Sequence, residues 1–136
     1  MKLQIASRLA IYAVLELAGD PGGQLSAAEI GDKYGISTHH LAKVLHTLGR
    51  TGMVRSMRGA RGGYQFVGNA KRTTLMELIE LFENVGGSES GNTEPGENTE
   101  AGRALGQVLD EIDDLTRATL SSITISTMLK LMNKSN

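Results

Sequence analysis

The chain has 136 residues, 40% of them hydrophobic, enough for one buried core plus an accessory helix or two. It contains no cysteine, which excludes disulfides and thiolate metal sites, and no apolar run approaches the ~20 residues of a membrane-crossing helix. The net charge of −1 conceals an asymmetry: residues 1–72 carry ten Lys/Arg against four Asp/Glu, and residues 73–136 carry four against eleven. Such a basic half suits a polyanionic partner, nucleic-acid phosphates above all.

The opening Met1-Lys2-Leu3-Gln4-Ile5 lacks the unbroken apolar stretch and cleavage site of a signal peptide, so a soluble cytoplasmic protein is expected. Ala6, Leu9, Ala10, Ala13 and Leu17 recur at helical spacing and predict a helix over 3–18, ended by the turn formers Gly19-Asp20-Pro21-Gly22-Gly23. Ser26-Ala27-Ala28-Glu29 is a capping box, with Leu25 and Ile30 placed as a hydrophobic staple, and Gly35 can end this second, short helix in a left-handed conformation. After only Gly35-Ile36-Ser37 a third helix begins, capped by Ser37 and striped by Leu41, Val44, Leu45 and Leu48. Two short helices across a three-residue turn form a helix-turn-helix.

The period then changes. Residues 53–57 and 63–67 read as two strands around Arg58-Gly59-Ala60-Arg61-Gly62, a hairpin with a basic tip, which in this position is a wing. Thr74-Leu75-Met76-Glu77 opens a further helix with Leu75, Leu78, Ile79 and Phe82 on one face. Residues 86–102 are polar and glycine-rich and read as a long loop. Ala101, Leu105, Val108, Ile112, Leu115 and Thr119 then alternate at spacings of four and three, a coiled-coil-like seam widened by Leu109, and a terminal helix over 123–132 follows and folds back. The expected fold class is mainly α with a small β-hairpin. It divides into a winged helix-turn-helix DNA-binding domain (1–84), a polar flexible loop (85–100), and a dimerisation helix with its terminal helix (101–136).

On a wheel of ~100° per residue, the face of the third helix opposite its apolar stripe collects His39, Lys43, His46 and Arg50, with His40 and Thr47 at the edges. Cations and hydroxyls on such a face can reach phosphates and base edges in a major groove, with the N-terminal turn closest to the bases. Thr38, His39, His40 and Lys43 are therefore the candidate base-reading residues, with the capping Ser37 in the same DNA-binding set. Arg50, Arg55, Arg58, Arg61 and Tyr64 are candidates for the backbone and minor groove, with Gly62 and Gly63 allowing close approach. His39 and His46 lie two turns apart, and no histidine pair makes the i, i+4 clamp of a helical metal site, so no metal is expected. Nor is a catalytic constellation visible. A protein-interaction adaptor working through the acidic half is the alternative.

Met1-Lys2-Leu3, Ile36-Ser37-Thr38-His39-His40-Leu41 with Leu48, Gly52-Met53-Val54, and Arg58-Gly59 followed by Arg61-Gly62-Gly63-Tyr64 together resemble the Rrf-two family of bacterial winged-helix regulators. The resemblance spans nearly the whole chain, and His40-Leu41-Ala42-Lys43-Val44 with His46 and Leu48-Gly49 is most like its NsrR branch. It implies a homodimer paired through the helix at 101–119, along Leu105, Val108, Leu109, Ile112, Leu115 and Thr119, with the terminal segment packed on the partner. It further implies double-stranded DNA as partner, a pseudo-palindromic operator read by residues 37–43, and the wing at 58–64 in adjacent minor grooves. Sensing members hold an iron–sulfur cluster through three cysteines in the loop after the helix at 74–84. This chain has none, so no cofactor is expected, and the signal would come from a small-molecule effector or a regulatory protein partner. A repressor is the expected activity.

Overall fold

The computed structural model describes residues 1–59, 62–85 and 94–134. The first helix, α1 (Ile5–Ala18), is the centre of the fold rather than an amphipathic flank. Besides Leu9, Ala10, Ala13 and Leu17, the residues Ile11, Val14, Leu15 and Ala18 are also buried, as befits a helix that is apolar almost all round. It packs against the third and fourth helices, the second strand and the last helix.

The helix-turn-helix forms as the caps dictate. In α2 (Ala27–Tyr34) the Ser26 hydroxyl accepts from the Glu29 amide at 3.1 Å and the Glu29 carboxylate accepts from the Ser26 amide at 3.4 Å. The helix ends at Gly35, whose φ of +66° only glycine adopts without strain. Then α3 (Thr38–Arg50) starts as Ser37 accepts from the His40 amide at 3.2 Å. Leu41, Val44, Leu45 and Leu48 are buried against α1 and its surroundings.

The wing is an antiparallel pair, β1 (Val54–Met57) and β2 (Gly63–Phe66), in the register Val54↔Phe66 to Met57↔Gly63. A third segment, absent from the reading of the sequence, joins it: Leu25 bridges Tyr64, each amide donating to the other's carbonyl at 3.1 and 2.8 Å. The wing is thereby tied to the start of α2.

After β2 comes α4 (Leu75–Glu80), shorter than the periodicity suggested, with Thr74 accepting from the Glu77 amide at 3.2 Å. Then α5 (Glu100–Ser122) starts from the Thr99 cap, within the stretch read as loop, and contains no buried residue. The link between α5 and α6 (Ile125–Lys134) is stitched to the start of α4: the Leu75 amide donates to Ile123, the Ile125 amide to Thr73 and the Ser126 amide to Ala70. Ile125 is fully buried, and Met128, Leu129 and Met132 pack on the same core, so α6 lies against α1 of its own chain. The bonds at Thr73 and Ala70 hold the start of α6 on this core.

Two polar clusters lock the helices. Glu83, just beyond α4, caps the N-terminus of α1 from afar: its carboxylate accepts from the Gln4 amide at 2.9 Å and from the fully buried Ser7 hydroxyl at 2.6 Å. Between α1 and α2, Glu16 accepts from Lys33 at 2.7 Å and from the Tyr34 hydroxyl at 2.5 Å, while the Tyr34 ring stacks on Tyr12 at 4.7 Å. Partial burial works to raise the Glu16 carboxyl, but the bonds from Lys33 and Tyr34 and the Lys33 charge outweigh it, leaving its pKa below the ordinary value. Burial, then the neighbouring Glu16, push the Tyr34 phenol above its usual range.

Candidate nucleic-acid interface

The described residues singled out from the sequence lie on α3, at its cap and on the wing. Thr38, His39, His40, Lys43, His46 and Arg50 are all exposed on α3, with His39, Lys43, His46 and Arg50 opposite the buried stripe. Ser37 is exposed as well, but its oxygen is occupied in capping the helix. Thr47 donates to the Lys43 carbonyl at 3.3 Å. This face carries donors and no carboxylate. It can bind phosphates through Lys43 and Arg50 and offer hydroxyl and imidazole groups to base edges.

The wing contributes next. Arg55 on β1 is exposed and donates to the Gln65 side chain across the hairpin at 3.5 Å. Arg58 is exposed at the tip, where the Gly62 amide closes the turn onto the Gly59 carbonyl at 3.1 Å. Arg61 lies outside the described residues.

Gly63 and Tyr64 have an internal role as well. At Gly63 φ is +155°, and an added Cβ would stand 2.9 Å from the Leu25 carbonyl oxygen. The close approach that this glycine permits is therefore to the start of α2. Tyr64 is half-buried, with its ring against the core and its backbone bridged to Leu25. His46 and Gly49, which the candidate set omitted, border the space between α3 and the wing with Tyr64.

The seam of α5 is a second surface. Leu105, Val108, Leu109, Ile112 and Leu115 are between 50% and 68% exposed, and Thr119 continues the row. Five large apolar side chains in line on one helix are far more than scattered surface residues. The other side of α5 meets its own chain through Leu120 and the Arg117–Glu80 ion pair at 3.1 Å.

Fold and surface together define a winged helix-turn-helix transcription regulator. More narrowly, the chain belongs to the Rrf2 family: the family's model, described as "Iron-dependent Transcriptional regulator", matches residues 3–131. It is 45% identical over 133 residues to the HTH-type transcriptional regulator BadM of Rhodopseudomonas palustris, covering 98% of this chain and 84% of that protein. Among solved structures it superposes on CymR (YrzC), the global cysteine regulator of B. subtilis, with a TM-score of 0.77 at 25% identity, covering 96% of this chain and 98% of CymR. IscR of T. potens has a TM-score of 0.79 over 100% of this chain and 91% of IscR, at 24% identity, a likeness of fold. These relatives are regulators, not enzymes.

Among the described residues the iron of the family description finds no matching donor set. A thiolate-held cluster has no ligand in a chain without cysteine, and among the described residues no three His, Cys, Asp or Glu side chains are grouped to hold a metal. Among the same residues no helix is long and apolar enough to cross a membrane.

Proposed function

We propose that this protein is a homodimeric, sequence-specific repressor of the cytoplasm that binds a pseudo-palindromic operator and works without a cysteine-ligated cluster. The observation that carries the reading is the carboxylate-free face of α3, lying beside a wing that exposes Arg55 and Arg58. Thr38, His39, His40 and Lys43 read bases, while Arg50, Arg55, Arg58 and Arg61 hold the backbone and the flanking minor groove. Pairing along the exposed α5 seam presents two such units to two half-sites one helical turn apart. Residues 1–84 bind DNA, 85–100 link, and 101–136 dimerise. This is a division of labour only, since α6 shares the core of α1. Within the family, the run from His40 to Gly49 speaks for kinship with the NsrR branch. A small molecule or a regulatory protein supplies the signal.

Changing Arg58 and Arg61 together to Ala tests the wing. Affinity for duplex DNA should fall at least about tenfold, and the salt dependence should flatten by about two phosphate contacts. Unchanged affinity would refute the assignment. The acidic, apolar-seamed α5 also fits a protein-interaction adaptor, and a purified protein with no DNA affinity at low salt would favour that role.

A further inference from the structure

A cavity of about 450 Å³ opens where the C-terminal end of α1 and the turn after it meet Lys33 of α2 and the last turns of α6. Its volume lies within the ~300–1,000 Å³ of sites that take small organic molecules. Leu15 and Ala18, both buried, and the half-buried Leu129 and Met132 give it an apolar floor. Its polar side chains are Glu16, Asp20, Lys33 and Asn133. None of its lining belongs to α3 or the wing.

The charge around this cavity is negative. Glu16 and Lys33 neutralise one another across 2.7 Å, whereas Asp20 has no ion-pair partner among the described residues. The Asp20 carboxylate lies over Gly23, where an added Cβ would collide with it. The end of α1 acts in the same sense. Its last turn carries no basic residue, and among the described residues only the Gly19 amide turns back onto it, donating to Leu15 at 3.0 Å. Pro21 has no N–H to give. Carbonyls left open at a helix C-terminus carry about half an elementary negative charge and favour a cation. Lys134, the basic residue in the last turn of α6, is not part of the lining. An apolar floor beside a carboxylate and a helix C-terminus fits an ammonium carried on an apolar body.

We infer that this cavity binds a small organic monocation, a primary amine on a compact apolar body, and that its occupancy sets DNA affinity. The ammonium meets Asp20 and the carbonyl end of α1, and the apolar body lies on Leu15, Leu129 and Met132. The regulatory half of the inference rests on the DNA-binding reading above and gives its small-molecule signal a site and a chemical class. The position suits that role. The helices α1 and α2 lead into the recognition helix, whereas α6 follows directly on the seam-bearing α5. A molecule held between them bears on how the two reading units of a dimer are spaced. Lys33 in the lining reaches α1 through Glu16, whose bonds from Lys33 and Tyr34 hold α2 in place. A ligand that favours one such spacing shifts the population toward it.

Calorimetric titration and amide NMR spectra of the full chain test this, with phenethylammonium as the probe, phenethyl alcohol as its neutral counterpart and hydrocinnamate as the anion. Phenethylammonium should bind and shift amides at the ends of α1 and α6 and across residues 19–23. The alcohol should bind about tenfold more weakly, and hydrocinnamate more weakly still. Asp20→Asn should melt at the wild-type temperature and bind the amine about two- to fivefold more weakly. Asn133→Trp, at an exposed lining position, should abolish the shifts. Saturating amine should change the affinity of wild type for duplex DNA by at least about fivefold, and that of Asn133→Trp not at all. Absence of amide shifts at the cavity, or hydrocinnamate binding as tightly as the amine, would overturn the site. Binding that leaves DNA affinity unchanged would overturn its regulatory role. Protein that binds the amine there but no duplex would refute the regulator reading and uphold the site.

Discussion

Replacing Glu83 with alanine removes an acceptor shared by two donors at the head of α1. The Ser7 hydroxyl is fully buried and donates to Glu83 at 2.6 Å, and the Gln4 amide donates to the same oxygen at 2.9 Å. A hydrogen bond to a charged acceptor contributes about 1.5–3 kcal/mol, and stranding a buried hydroxyl forfeits that together with its desolvation. The Gln4 amide is exposed and can turn to water, so losing its cap adds about 0.5–1 kcal/mol. Glu83→Ala should therefore destabilise the protein by about 2–4 kcal/mol. Ser7→Ala removes the buried donor with its need, and Glu83 is left half-exposed to solvent, so the loss should be only about 0.5–1 kcal/mol. In the double variant no donor is stranded, and it should be no less stable than Glu83→Ala alone. Urea midpoints at one fixed protomer concentration give all four corners of the cycle. A Glu83→Ala protein within about 0.5 kcal/mol of wild type, or strictly additive single changes, would refute the account.

The Glu16–Tyr34 pair makes stability depend on pH at both ends. Glu16 is held below its ordinary 4.5, so its contribution is present above that value and lost as pH falls through the folded pKa. Tyr34 is held above its ordinary 10.0, so its contribution is complete below that value and lost as pH rises through its folded pKa. Urea midpoints of Tyr34→Phe should vary less than wild type across both windows, and parallel curves would contradict this. On α5, Leu109→Glu with Ile112→Glu should give a folded monomer in sedimentation equilibrium, because both side chains are about half-exposed and α5 contributes no buried residue. A variant that stays dimeric would move the interface elsewhere.

Much of the fold was legible because its signals are local. Ser26 with Glu29, Gly35, and Ser37 with the stripe from Leu41 to Leu48 state helix starts, stops and faces within a few residues, and all appear where the spacing puts them. The exposed α5 seam follows from a repeat that its own chain leaves uncovered. What escaped depends on distant partners. The Glu83 cap joins residues 76 and 79 positions apart, and the Leu25–Tyr64 bridge ties a single residue to a strand. No periodicity encodes either. The same holds for α6, whose place on α1 is set by the Thr73–Ile125 and Ala70–Ser126 bonds. At the candidate interface the cationic residues were visible in the sequence.

The central claim is that the outer face of α3 and the wing read a specific DNA sequence. Selection of bound duplexes from a random pool, with purified untagged protein at moderate salt, tests it most directly. The account predicts recovery of one pseudo-palindromic motif whose half-sites lie about one helical turn apart. Recovery of no motif, with all binding abolished as salt rises, would contradict sequence-specific regulation and leave a non-specific phosphate binder.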